Sequence, residues 1–200
     1  LGYFHFLEHM LFKDSETRTS KEMASEIERV GGILNGSTSR EYTQYYVVAI
    51  NDKAELAFDI LSDMVYRPKF REEDIKTEQN VVIEEMRSYE DAPDDFVYDF
   101  YFRNIFKKSP YGRDIIGTKA SINKITRKSI RNFYEKHYFP ANMVLSVSGN
   151  LKWKDVIKLA EKYFPFKNPV GKVSSPVVIP APNKSFTRHL EKRKIQQINV

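Results

Sequence analysis

Three residues near the start of the chain have the types and spacing to hold a metal ion: His5, Glu8 and His9, in the order H-x-x-E-H. On an α-helix their side chains spread over about 100° of one face. Two imidazoles one turn apart can share one metal ion, with a carboxylate beside it. Imidazole nitrogen is an ordinary zinc ligand, and a catalytic zinc keeps one position for water. Glu8 can then take the proton of that water. A histidine on an apolar helix face is more often core packing than ligand, so a third ligand has to be sought downstream.

The stretch Glu78-Gln-Asn-Val-Val-Ile-Glu84-Glu85 offers it. Glu78 and Glu85 are seven residues apart, so on a helix they share a face to within about 20°. Apolar Val81 and Val82 lie between them, which is unusual for a solvated charged stripe. Glu84 points elsewhere and is expected to be exposed; the plainer reading of the carboxylates is a charged helix with ion pairs to Lys76 or Arg87. The spacing alone does not say whether Glu78 or Glu85 reaches a metal.

These residues need elements to carry them. Residues 3–13 read as the motif helix and Asp14–Arg18 as a polar loop. Thr19-x-x-Glu22 is a capping box opening a helix that runs to Val30, and Gly31-Gly32 stops it. Residues 33–39 and 42–50 read as strands, the second rich in Tyr and Val. Asp52, with Glu55, is expected to cap a helix through Val65. A long helix over Arg71–Tyr89 carries both carboxylates, and Asp91-Ala-Pro93 breaks it. Further helices are expected over 95–107, from Thr126 to Tyr138, and over 153–164, with a turn at 109–112 and a strand at 142–148. Pro165, Pro169, Pro176, Pro180 and Pro182 mark a linker over 166–184. Residues 185–200 read as the start of another, strand-rich unit. Helices and strands mix without strict βαβ alternation, which predicts an α+β fold with a mainly antiparallel sheet.

Composition narrows the function classes. The absence of cysteine means that any zinc must be held by His and carboxylate. A net charge of +5 could signal nucleic acid, but Lys and Arg are scattered among Asp and Glu, so a mixed surface is the better reading. The Tyr-rich strand could stack on bases, but alternating aromatics in a strand are usually core. There is no Gly-rich phosphate loop. No apolar run approaches the ~20 residues that span a membrane, so neither nucleic acid nor membrane is an expected partner. His137, at an aromatic helix end, reads as packing or as compensation of the helix dipole, and His189, past the linker, has no ligand partner in the sequence. The motif helix has nothing before it to pack on, which predicts further sequence upstream.

H-x-x-E-H, the inverzincin order, followed by E-x-x-x-x-x-x-E resembles the pitrilysin/insulinase family of zinc endopeptidases. It is nearest the processing-peptidase branch, with its mitochondrial β-type subunits and bacterial relatives. The separation of His9 from Glu85 fits. So do His9-Met-Leu-Phe-Lys13, Gly31-Gly-Ile-Leu-Asn35, Thr43-x-Tyr45-Tyr46, Pro110-Tyr-Gly112 and Tyr138-Phe-Pro140-Ala-Asn142-Met. The resemblance implies one Zn2+ per chain held by His5, His9 and Glu85, with Glu8 as general base and Glu78 as a supporting carboxylate. It implies that Asn35, Gly36 and Ser37 lie on a strand that pairs with substrate backbone. The family usually has Ala after this Asn, and Gly36 departs from it. It further implies that residues 1–165 are the zinc-binding half of a two-half clamshell. A second, related half would be supplied in cis or in trans, a homodimer being one form of the latter.

The function expected is zinc-dependent hydrolysis of extended or unfolded peptides. The alternative is a non-catalytic structural or substrate-presenting subunit of the same family, which a broken motif would mark. The compartment expected is the bacterial cytoplasm, with the mitochondrial matrix or the periplasm as alternatives.

Overall fold

A computed structural model of the chain describes residues 2–107, 109–164 and 188–192. Its centre is α1 (Tyr3–Leu11), in which Phe6, Leu7, Met10 and Leu11 are all buried. A helix of 9 residues is marginal by itself, so tertiary packing has to hold it. Around it lie α4 (Glu72–Asp91), α7 (Arg127–His137) and a hairpin of β1 (Ile33–Thr38) and β2 (Thr43–Val48). Met23 and Ile27 of α2 (Ser20–Glu28), Ile60 and Met64 of α3 (Ala54–Tyr66), Val82 of α4, and Ile122 and Ile130 complete the core.

The strands pair antiparallel, from Ile33 opposite Val48 to Thr38 opposite Thr43. Leu34, Gly36 and Thr38 turn toward the helices, whereas Ile33, Asn35 and Ser37 face outward, the period of two that a half-covered sheet requires. The fold is α+β as expected, with an antiparallel sheet that is two-stranded among the described residues. None of the described helices is long and apolar enough to cross a membrane.

Most of the expected elements form. Thr19 and Glu22 close the capping box of α2, and Gly31, with φ +69°, follows the helix. Three expectations need correction. Asp52 does not cap α3: it sits in a 3-10 turn over Asn51–Lys53, where Lys53 N–H bonds Ile50 O at 3.0 Å. That tighter turn leads directly into α3, and no side chain caps the helix. Glu55 instead accepts Lys162 Nζ (2.6 Å) and Tyr163 OH (3.0 Å) from α8 (Trp153–Tyr163). The helix after the break, α5 (Pro93–Ile105), starts at Pro93 itself, because the first helical position has no hydrogen bond for proline to lose. The expected strand at 142–148 finds no partner strand among the described residues: a 3-10 turn covers Pro140–Asn142, and Val144 is exposed. A short helix not expected from the sequence, α6 (Lys119–Ile122), is capped by Thr118 and Ser121. The linker at 166–184 and nearly all of the unit expected from 185 onward lie outside the described residues.

Two features set where α1 lies. After it, buried Asp63 accepts Ser15 Oγ, and Arg18 bridges Glu26 (3.1 Å) and Asp59 (2.6 Å), tying the loop to α2 and α3. Before it, Gly2 (φ +75°) meets Gly117 (φ +86°) backbone to backbone, and a Cβ on Gly117 would lie 2.8 Å from Gly2 Cα. Gly117→Ala would meet that contact and pay for a left-handed φ. It is expected to destabilise the fold by at least ~1 kcal/mol, read as a lower urea midpoint. An unchanged midpoint would show that the loop gives way without holding α1.

Candidate metal centre

α1 and α4 pack against each other so that His5 and His9, one turn apart, meet the face of α4 that carries Glu78 and Glu85. Glu85 Oε1 lies 3.6 Å from His5 Nε2, and Glu85 Oε2 lies 3.4 Å from His9 Nε2. Ligand atoms of His5, His9 and Glu85 all lie within 4.8 Å of one another. Glu78 takes a different position. Its Oε2 is 2.9 Å from His9 Nδ1, on the far side of the ring, and its Oε1 pairs with Lys13 Nζ. Glu84 points away and is exposed, as its place on the helix predicts, and it pairs with Arg87.

The donor set suits zinc. Nitrogen and oxygen ligands ~2 Å from a tetrahedral ion sit roughly 3.3 Å apart, close to the two separations measured here. Glu85 Oε2 and His5 Nδ1 are buried without a hydrogen-bond partner. An unsatisfied buried carboxylate oxygen is costly, and a cation between the three side chains would satisfy it.

The electrostatics of these side chains point the same way. Burial by itself would lower the pKa of His9. The hydrogen bond to Glu78, then the Glu85 carboxylate beside Nε2, and the charges of both outweigh burial and raise it to about 9. Burial would raise Glu85, but the imidazoles of His5 and His9 beside it bring it down to about 2. Glu78 is lowered against its burial by His9 and Lys13. Two carboxylates thus converge on one imidazole, a concentration of negative charge that a cation can share.

Glu8 stands at the edge of this cluster. Thr38 Oγ1 donates to Glu8 Oε2, and Thr43 Oγ1, across the hairpin, is 3.2 Å from Thr38 Oγ1. His5, Glu8, His9 and Glu85 open on a cavity of about 500 Å³, walled by Gly36, Ser37 and Thr38 of β1 on one side and by residues of α5 on the other. Arg40, in the hairpin turn, reaches across: Nη2 donates to Asp99 Oδ1 (2.8 Å), Nη1 donates to Arg113 O (2.8 Å), and the guanidinium lies 4.1 Å above the Phe102 ring centre. A smaller hollow between α2 and β1, about 270 Å³, has no histidine in its lining.

Of the expected substrate residues, Gly36 and Ser37 line the cavity. Asn35 does not: its Oδ1 accepts the N–H of Gly36 at 2.8 Å. Ser39 N–H bonds Tyr42 O at 2.8 Å. By the alternation of an antiparallel ladder, the backbone of Leu34, Gly36 and Thr38 therefore turns away from β2. Glycine at 36 has a packing reason, since a Cβ there would lie 3.0 Å from the Phe12 ring. Sequence reasoning missed Thr38 and Lys13 as partners of the two carboxylates, though a trace of each was present. Lys13 follows His9 by four residues, and Thr38 follows Gly36 by two, which puts each on its neighbour's face. His137 packs between Phe4 and Phe133, the packing role expected of it, and His189 is exposed.

Comparison with known proteins places the chain in a family. The sequence model for insulinase (peptidase family M16) matches residues 1–119, and that for the peptidase M16 inactive domain matches residues 124–200. An uncharacterised zinc protease of Bacillus subtilis is 39% identical over 173 residues, covering 86% of this chain and 42% of its own. The Arabidopsis thaliana protein described as a probable mitochondrial-processing peptidase subunit beta is 37% identical, over 82% of this chain and 31% of its own. The crystal structure of a protease from Helicobacter pylori superposes with a TM-score of 0.81 at 26% identity, covering 92% of this chain and 44% of that one. The chain thus spans less than half the length of these relatives. It belongs to the insulinase family of peptidases, family M16.

Proposed function

We propose that this chain is the zinc-binding half of a metalloendopeptidase that cleaves extended peptides. The observation that carries the reading is the division of labour between the carboxylates: Glu85 faces the Nε2 atoms of both histidines, whereas Glu78 takes the opposite nitrogen of His9. His5, His9 and Glu85 would hold one zinc ion, and Glu78 would orient His9. Bound there, zinc would supply an acidified water molecule and a polarised scissile carbonyl. Glu8 takes the proton from the water and later returns it to the leaving amine. Thr38 holds one oxygen of Glu8 and leaves the other for that exchange. A substrate strand would lie along the outward backbone of Gly36 and Thr38, which carries it past Glu8 and the histidines.

The non-catalytic alternative has one point in its favour, the match of residues 124–200 to the inactive domain of the family. That segment lies beyond every member of the His5–Glu85 cluster. All five residues, His5, Glu8, His9, Glu78 and Glu85, are present and converge, which favours catalysis. Completing the site falls to a second half-domain, in cis or in trans. The bacterial cytoplasm remains the compartment we propose, within a family whose members here include bacterial and mitochondrial-processing proteins.

Three outcomes test this. His5→Ala, His9→Ala and Glu85→Gln should each abolish stoichiometric zinc in metal analysis, whereas Glu78→Gln should weaken it ~10–100-fold. Full occupancy in any of the first three would remove that residue from the ligand set. Glu8→Gln, made in the extended protein, should keep its zinc and lose at least ~10²-fold in turnover of a quenched peptide; near-normal turnover would assign the base elsewhere. The 200-residue chain should bind zinc yet cleave poorly, because donors for the developing oxyanion and for substrate register have to come from the other half. Turnover equal to that of the extended chain at equal zinc occupancy would show that one half suffices.

A further inference from the structure

We infer that Lys13 is a positioning residue of the metal centre: through Glu78 it fixes the His9 ring with Nε2 facing His5 and Glu85. The inference rests on the zinc reading above and adds to it a residue outside the H-x-x-E-H motif. Lys13 follows the end of α1, and its own N–H bonds Met10 O at 3.3 Å, so the helical turn carries its side chain to the face that holds His9. Its ammonium meets Glu78 Oε1, while Glu78 Oε2 meets His9 Nδ1 at 2.9 Å.

The exposure of the Glu78 side chain, 5%, makes this pairing matter. A carboxylate so enclosed needs partners for both oxygens. Without Lys13, Oε1 would lose its donor, and the carboxylate would turn or draw in water to recover one. Either change frees the plane against which His9 is set. A ligand ring is ordinarily held by the hydrogen bond that its second nitrogen makes. His9 has that bond and His5 does not, since His5 Nδ1 is buried without a partner. The ligand set is therefore oriented on one side only, and Lys13 completes that side.

The plainer role for Lys13 would be an ion pair with its neighbour Asp14. That carboxylate is already taken, by Arg71 Nη2 at 2.6 Å and by the N–H of Ser20 at 2.9 Å. Nor is Lys13 a loosely solvated lysine, for its side chain is 30% exposed and aimed at a buried acid.

The test is zinc affinity of the 200-residue chain by competition with a chelator, together with the His9 Nδ1 proton in NMR spectra of the metal-free protein. Lys13→Met should lower zinc affinity about tenfold or more and broaden or shift the His9 Nδ1–H signal. Lys13→Arg, which keeps a charged donor, should restore most of both. In a Glu78→Gln background, Lys13→Met should cost little more, because its effect passes through Glu78. If Lys13→Met perturbs the circular dichroism spectrum, Lys13→Gln, which keeps a donor without the charge, replaces it in the series. Wild-type affinity in the Met variant, or the same loss with and without Glu78, would overturn the inference. Failure of the zinc reading itself looks different: His9→Ala would then bind zinc as the wild type does.

Discussion

The packing of α1 on α4 is the constraint on which the rest depends. Each helix presents a face that is part apolar and part ionisable, and the apolar part sets the distance. Phe6, Leu7 and Met10 on one side and Val82 on the other are buried, and they allow only a close approach. At that approach two acids and two imidazoles are brought together away from most of the water. Buried charge is tolerated only when paired, so the core's demand for contact and the site's demand for pairing are met by one interface. The loop that ties α1 to α2 and α3, and the Gly2–Gly117 contact, hold α1 in the position this interface needs.

Much of this was legible in the sequence because it depends on local period. The i, i+3, i+4 spacing of the motif and the seven-residue spacing of Glu78 and Glu85 each define a helix face. The capping box at Thr19 names its own partner, and the Tyr- and Val-rich residues of 42–50 predict a strand. Illegible was whatever depends on how two elements sit together. Which carboxylate faces both Nε2 atoms follows from the axial register of α4 against α1, which spacing within α4 cannot express. Thr38 reaches Glu8, and Lys13 reaches Glu78, only through tertiary placement. The strand expected at 142–148 has no partner among the described residues for a related reason: extended, β-branched sequence is necessary, but a strand is defined by the neighbour that pairs with it. Asp52 misled because a good capping residue competes with a 3-10 turn that meets the same backbone need.

The hairpin shows how one small residue serves two layers. Gly36 lets the Phe12 ring close on β1, which seals the core beneath the strand. The backbone of the same residue faces outward, and Asn35 occupies its N–H. Where the resembling family usually has alanine, this chain trades side-chain area for a nearer aromatic, and the strand keeps its place above the histidines.

Arg40 has a mechanical consequence. It joins the hairpin turn to α5 by an ion pair, a carbonyl hydrogen bond and a stacked ring at once, so it acts as a strut across the mouth of the cleft. The gap between the two walls is thereby gauged before anything enters it. A guest then meets an opening of settled width, and less of its binding energy goes into ordering the host.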